Sequence, residues 1–274
     1  MNVRSGDVAR DLLAAYAGCS QVAPPSSTFG NAFDLAAAYA VEAEVVRLRR
    51  EAGRSTVGRK VGFANKAAWR ILKLETLVWA HMYDDTVQCA SSNSAALSLA
   101  GRCAPRIEPE IVLKLKRPLA PGTGDAAAIL EAVEWMALGF EINDCVFPDW
   151  KFQPADFVAA FGFHTALVVG DAHPVEERTI STIADQLPRF ALRLSRNGQA
   201  VDEGSGKNSL RSPALCLGEL SSAIARQPGA EPLEGGEIIS TGTLTNPHPV
   251  AAGEEWRAEV EGIDLPPLML RFRT

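Results

Sequence analysis

The chain is poor in the residues that announce a redox or thiolate-metal site. Its 274 residues hold five cysteines, at 19, 89, 103, 145 and 216, and no two of them form a CxxC pair. Scattered thiols in a chain of this kind are expected to be reduced and structural, which sets aside a disulfide framework and a thiolate zinc site. Histidine is scarcer, at four positions. Long apolar runs are missing: stretches such as Ala166–Gly170 fall far below the ~20 residues that cross a bilayer. Met1–Asp7 lacks the apolar core of a signal peptide, so a cytoplasmic protein with no membrane partner is expected. Positive charge is also in deficit. The formal net charge is −6 and no basic stripe runs along the chain, which argues against a nucleic-acid partner. Arg47, Arg49, Arg50, Arg54, Arg59 and Lys60 form a local basic segment that reads mostly as the solvated face and end of a helix. Gly204-Ser205-Gly206 lacks the third glycine and the following helix of a dinucleotide fingerprint, and no phosphate loop is present.

What is present is a soluble, core-forming composition, 47% hydrophobic, with a change of pattern along the chain. Residues 6–19 and 33–52 read as helices separated by the loop Pro24-Pro25-Ser26-Ser27, with Asp34 placed to cap the second. From about residue 56 the pattern becomes strands broken by turns, with short helices expected at 65–73, 124–136, 154–160 and 214–226. Asn197-Gly198 is a two-residue hairpin signal, and Glu237–Ser240, Trp256–Val260 and Leu268–Phe272 read as further strands. The expected organisation is a helical region over 1–55 and a β-rich catalytic domain over 56–274. Strands outnumber the helices that could cover a parallel sheet, so an open doubly wound fold is not expected.

The chemistry concentrates in acid groups on strands. Ile107–Leu115 reads as a strand with apolar residues at 107, 111, 113 and 115, so Glu108 and Glu110 leave the opposite face together. Glu141 is the polar exception in a second strand-like run, between Phe140 and Ile142. Pro109 in mid-strand marks an edge or a bulge. Three carboxylates that converge repel one another unless a cation lies between them. An all-oxygen ligand set suits a hard ion such as Mg²⁺, which keeps several waters and leaves room for substrate.

Several segments in order resemble the fumarylacetoacetate hydrolase superfamily, in its 2-oxopent-4-enoate hydratase and 4-oxalocrotonate decarboxylase branch. They are Asp34…Ala38-Tyr39…Glu42, Gly58-Arg59-Lys60-Val61-Gly62-Phe63, Arg106-Ile107-Glu108-Pro109-Glu110, Glu141-Ile142-Asn143-Asp144, Asp149-Trp150-Lys151, Val201–Gly206 and Ile239–Thr245. The resemblance implies an α+β fold: a small helical N-terminal region joined to a twisted mixed β-roll. It also implies a homo-oligomer, a 2-oxo or 2-hydroxy-dienoate acid as substrate, and Mg²⁺ or Mn²⁺ held by Glu108, Glu110 and Glu141. Lys60 matches the motif lysine and is expected as the acid/base at the dienol. Asp85 matches a family aspartate, across a small gap, and is the second expected catalytic group. Thr243 and Thr245 are expected to bond the substrate carboxylate, and Lys151 to serve the site wall.

The run Ala160-Phe161-Gly162-Phe163-His164 replaces the small polar residues usual in the hydratase branch, so His164 is expected to line an altered substrate pocket. His248, in Asn246-Pro247-His248, is the other histidine considered for that pocket. The expected reaction is hydration of a 2-hydroxy-2,4-dienoate to a 4-hydroxy-2-oxo acid. Decarboxylation of a 2-oxo-3-enedioate would use the same chelate. An acylpyruvate hydrolase would need a His/Glu pair, and no His-x-x-Glu occurs in the N-terminal half. A non-catalytic 2-oxo acid binder is the remaining alternative.

Overall fold

The computed structural model describes residues 3–274, and its N-terminal part follows from helical patterning. Helix α1 (Ser5–Ala17) buries Val8, Ala9, Leu12 and Ala15 as one stripe. After the short α2 (Pro25–Phe29), helix α3 (Leu35–Glu51) starts at Asp34, whose carboxylate accepts from the Ala37 N–H at 2.9 Å. The buried stripes of α1 and α3 do not close on themselves. They share a core with Cys145–Phe147 and Ala155–Phe163 from the β-rich part.

The next segments are β1 (Thr56–Gly62), α4 (Lys66–Leu72), β2 (Val78–Tyr83), β3 (Val87–Cys89), β4 (Ser94–Ser98) and β5 (Arg106–Leu115). They are followed by α5 (Ala126–Leu130), β6 (Val133–Asn143), α6 (Pro154–Ala159), β7 (His164–Val169), β8 (His173–Pro174) and α7 (Ile180–Gln186). The chain ends in β9 (Ala191–Arg196), β10 (Gln199–Ser205), α8 (Pro213–Arg226), β11 (Ile238–Ser240), β12 (His248–Pro249), β13 (Glu255–Glu261) and β14 (Leu268–Arg273). A nine-stranded mixed sheet runs β2-β1-β11-β5-β6-β7-β3, with β12 also on β5 and β8 on β6. A five-stranded sheet runs β10-β9-β13-β14-β4. The Asn197-Gly198 turn joins β9 and β10, both residues at positive φ.

The two faces of β5 have different fates. Ile107, Ile111, Leu113 and Leu115 enter the main core with Leu192, Leu194, Trp256, Leu270 and residues of α8. Val112, on the other face, packs with Met82, Ala137, Leu167 and Val169. Glu108 and Glu110 continue that second face.

Two expectations are corrected. Residues 124–136 are not one helix: α5 stops at Leu130, and from Val133 the chain runs as β6 against ten residues of β5. Pairing of that length outweighs the helix propensity of Glu134 and Met136. Pro109 lies on neither an edge nor a bulge, because β5 is central in the sheet. Its carbonyl, which accepts from Leu244 N–H, faces a gap between β11 and β12, and so does its nitrogen, which has no proton to offer.

Candidate metal centre

Strand register assembles the acid groups. Glu108 sits directly opposite Glu141 across β5 and β6, and Glu110 is opposite Gly139. A side chain at Gly139 would bring its Cβ to 2.4 Å from a Val112 methyl, so the sheet keeps that position bare. One carboxylate oxygen from each of Glu108, Glu110 and Glu141 lies within 4.8 Å of the others, and Glu110 and Glu141 are fully buried.

Lys60 reaches this cluster from β1. Its Nζ donates to Glu141 Oε2 at 2.8 Å, Asn143 Oδ1 at 2.9 Å and the Gly162 carbonyl at 2.8 Å, so its three N–H groups meet three acceptors. Arg59 and Lys60 therefore belong to a buried strand and not to the solvated end of a helix. Asn143 Nδ2 in turn donates to Glu108 Oε2 at 2.6 Å and to Glu141 Oε2 at 3.3 Å. Glu110 is held from the other side by Ser240 Oγ–H and by the Gly242 N–H at 2.8 Å.

The electrostatics are unequal. Burial pushes Glu108 up to about 7, with Lys60 opposing and Glu141 adding to the rise. Burial, then Glu141 and Glu108, raise Glu110 well above the ordinary carboxylate range. Burial also acts upward on Glu141, but Lys60 and His164 outweigh it and hold that carboxyl below its usual value. Burial depresses His164, so its neutral ring gives the Nδ1 proton to Glu141 Oε1 at 2.9 Å.

A divalent cation fits this donor set. All candidate ligand atoms are carboxylate oxygens, and Glu110 Oε1 is buried with no hydrogen-bond partner. An orphaned, buried oxygen beside two other acids is stabilised by a proton or, when ionised, by a hard cation.

Beside the cluster opens a cavity of about 550 Å³. Lys60, Arg106, Glu108 and Asn143 line its floor, Trp150, Phe152, Phe157 and Phe163 one wall, and the turn Gly242–Pro247 another. Phe161, Gly162 and Phe163 all adopt positive φ. This costly turn delivers the Gly162 carbonyl to Lys60 and stacks Phe163 edge-on to Phe152 at 4.6 Å.

The structure thus brings Lys60, Glu108, Glu110 and Glu141 together, with Thr243 and Thr245 on the cavity wall. Thr243 Oγ1 donates to the Thr245 carbonyl at 2.9 Å and so braces the turn. The other expected residues stand elsewhere. His164 is behind Glu141 and does not line the cavity; its Nε2 lies 2.9 Å from Thr86 Oγ1. Lys151 is 81% exposed and pairs with Asp149 at 3.1 Å, outside the cavity lining. Asp85 is also outside, paired with Arg49 at 2.5 Å and Arg54 at 3.2 Å. His248 pairs with Asp202 at 2.8 Å. Sequence reasoning missed Asn143, although alternation from Glu141 places it on the same face. A buried His–Glu pair does exist, His81 Nδ1 to Glu42 at 2.6 Å. It lies on the opposite face of β1–β2 from Lys60, since Arg59 pairs His81 and Lys60 pairs Ala80.

A carboxylate triad with a buried lysine, on a twisted mixed sheet beside a helical N-terminal region, defines a class of β-roll enzymes. The chain belongs to the fumarylacetoacetate hydrolase C-terminal family, whose model matches residues 65–266. It is 28% identical to a 2-hydroxyhexa-2,4-dienoate hydratase of Comamonas testosteroni over 82% of each chain. It is 29% identical to a 4-oxalocrotonate decarboxylase of a Pseudomonas species, over 90% of this chain and 91% of that one. The fold is shared with the 4-oxalocrotonate decarboxylase of Pseudomonas putida G7 complexed with magnesium and adipate. There the TM-score is 0.86 at 23% identity, covering 98% of this chain and 97% of that one. Among the described residues no helix is long and apolar enough to cross a membrane.

Proposed function

We propose that the chain is a divalent-metal-dependent lyase that hydrates a 2-hydroxy-2,4-dienoate to a 4-hydroxy-2-oxo acid. The observation that carries this is the convergence of Glu108, Glu110 and Glu141 beside Lys60, with Glu108 and Lys60 lining the cavity. Mg²⁺ or Mn²⁺ held by the three carboxylates would supply Lewis-acid stabilisation of negative charge at the substrate's 2-oxygen. The chain's own residues do the rest. Hydration moves the 2-hydroxyl proton to the end of the diene, then adds water's hydroxyl at C4 and its proton at C3. Lys60 lines the cavity and contacts Glu141 of the triad, and we assign it that proton traffic. Asn143 ties Lys60 to Glu108, so the proton carrier and the ligand set hold one geometry. The aromatic wall keeps bulk water from the diene.

Decarboxylation of a 2-oxo-3-enedioate needs the same enolate, and relatives carry both names. A hydrolase is disfavoured because the His81–Glu42 pair faces away from Lys60. A dienoate mixed with protein and Mg²⁺ should lose its ultraviolet absorbance with turnover, and mass spectrometry should show a product heavier by water. With a 2-oxo-3-enedioate in place of the dienoate, a product lighter by carbon dioxide would transfer the assignment to decarboxylation. Binding without any turnover would leave a 2-oxo acid binder.

A further inference from the structure

The cavity wall from Thr243 to Pro247 makes one backbone bond to β5, from Leu244 N–H to the Pro109 carbonyl at 2.9 Å. Its other anchors lie on β10 and just after it. Asn208 Nδ2 donates to the Leu244 carbonyl at 2.7 Å. Gly204 runs so close to that carbonyl that an added Cβ would stand 2.1 Å from its oxygen. Asp202 contributes most. Its Oδ2 accepts from Asn246 N–H at 3.2 Å, Asn246 Nδ2 at 3.2 Å and His248 Nε2 at 2.8 Å. Its Oδ1 accepts from the Glu203 N–H at 2.8 Å, which fixes the side chain.

A bulge places this carboxylate. Ala200 pairs with Ser195 and Asp202 with Leu194, so Val201 is the extra residue and side-chain alternation along β10 shifts by one. Burial acts upward on Asp202, but the bonds from His248, Glu203 and Asn246 outweigh it and hold the carboxyl below its usual value. The group is therefore an anion, and the bonds it receives are charge-assisted.

β10 is the outermost strand of the five-stranded sheet, whereas the three acids lie on β5 and β6 of the nine-stranded sheet. We infer that Asp202 is a positioning residue for the substrate. It does not line the cavity; it fixes the wall that carries Thr243 and Thr245, and does so from a sheet that holds none of the acids. The ligand set and the substrate wall are thus anchored independently. This rests on the cavity receiving the substrate as proposed above.

Hydrogen exchange of the full chain, read by NMR at single amides, tests the anchor without reference to turnover. The amides of Leu244 and Thr245 make no bond to Asp202, so they report the turn and not the deleted contact. In D202A both should exchange roughly 10-fold faster or more, the loss of hydrogen bonds to a charged group, with Ile142 unchanged. H248Q, which removes one of the three bonds, should shift them less in the same direction. Calorimetric Mg²⁺ affinity should stay at the wild-type value in both. With 2-hydroxypenta-2,4-dienoate in saturating Mg²⁺, KM should rise roughly 10-fold in D202A while kcat stays within about threefold, the pattern of lost substrate binding. D202N keeps an acceptor oxygen and should fall between; it carries the comparison should D202A fold poorly. Wild-type exchange at Leu244 and Thr245 in the variants would overturn the anchor. Faster exchange with an unchanged KM would overturn its role toward substrate and leave the metal lyase standing. A wild type that neither binds nor turns over the dienoate would remove the lyase reading and the substrate role together, with the exchange rates still deciding the anchor.

Discussion

Neighbouring residues 163 and 164 have opposite duties, although both belong to one departure from the family pattern. Phe163 faces the cavity, whereas His164 hands a proton to Glu141 from behind. His164→Ala is therefore expected to weaken metal affinity by about 10- to 100-fold, the usual loss when a ligand's orienting partner goes. Phe163→Ser should leave metal affinity near wild type and alter relative rates over a panel of dienoates. Metal titration of both variants checks the pair of outcomes. Lys60→Met should bind metal normally and lower kcat by about 10²–10⁴-fold, measured as initial rate at saturating metal. Rates near wild type would remove Lys60 from the chemistry. Glu108, Glu110, Glu141 and Lys60 were legible because each breaks a local apolar pattern within an ordered motif. Asp85, Lys151 and His164 stand outside the cavity lining. Lys151 pairs with its neighbour Asp149 at the surface, whereas the positions of Asp85 and His164 depend on long-range partners, Arg49 and Glu141. No local pattern encodes that.

At the scale of elements, the centre is a crossing of β1, β5, β6 and one strained turn. Gly162 has φ +65°, and an added Cβ would come within 2.5 Å of Lys60 Cδ and 3.2 Å of Ala80 Cβ. Gly162→Ala should cost about 1–2 kcal/mol from the left-handed backbone alone, and in addition push the lysine from its acceptors. The expected result is a lower melting temperature and a kcat loss comparable to Lys60→Met, with metal affinity largely retained. Full activity in that variant would show that the Gly162 carbonyl does not position Lys60. The strand character of 107–115 and the helices α1, α3, α6 and α8 were readable from periodicity. The span 124–136 was misread because Ala126–Leu130 is helical and the strand that follows takes its conformation from β5. The cause of that boundary lies on a different strand.

For the molecule as a whole, the triad sets a conflict between stability and metal-free charge. Glu108 is raised to about 7 from an ordinary carboxylate value, and Glu110 is raised well above that ordinary value. A carboxyl with a folded pKa above its unfolded one binds more protons when folded, so stability falls as pH rises between the two values. Metal-free protein should accordingly melt at a lower temperature at pH 8 than at pH 5.5. Saturating Mg²⁺ should raise the melting temperature, and most at the higher pH, because the ion binds the ionised native site. A thermal scan across pH with and without chelator tests this. A melting temperature indifferent to metal at pH 8 would contradict the assignment of the triad.

The proton that Pro109 does not carry has a kinetic consequence. From Thr243 to Pro247 the backbone meets β5 through one amide, Leu244 N–H to the Pro109 carbonyl at 2.9 Å. The ligands, by contrast, lie on β5 and β6, paired from Arg106 to Leu115. The rim can therefore open while the ligand frame stays shut, a local event far smaller than global unfolding. In hydrogen exchange, amides of Thr243 and Asn246 should trade with solvent well before those of Ile142 and Val112. A molecule built this way can let product leave past the turn while the three carboxylates keep their places on the sheet.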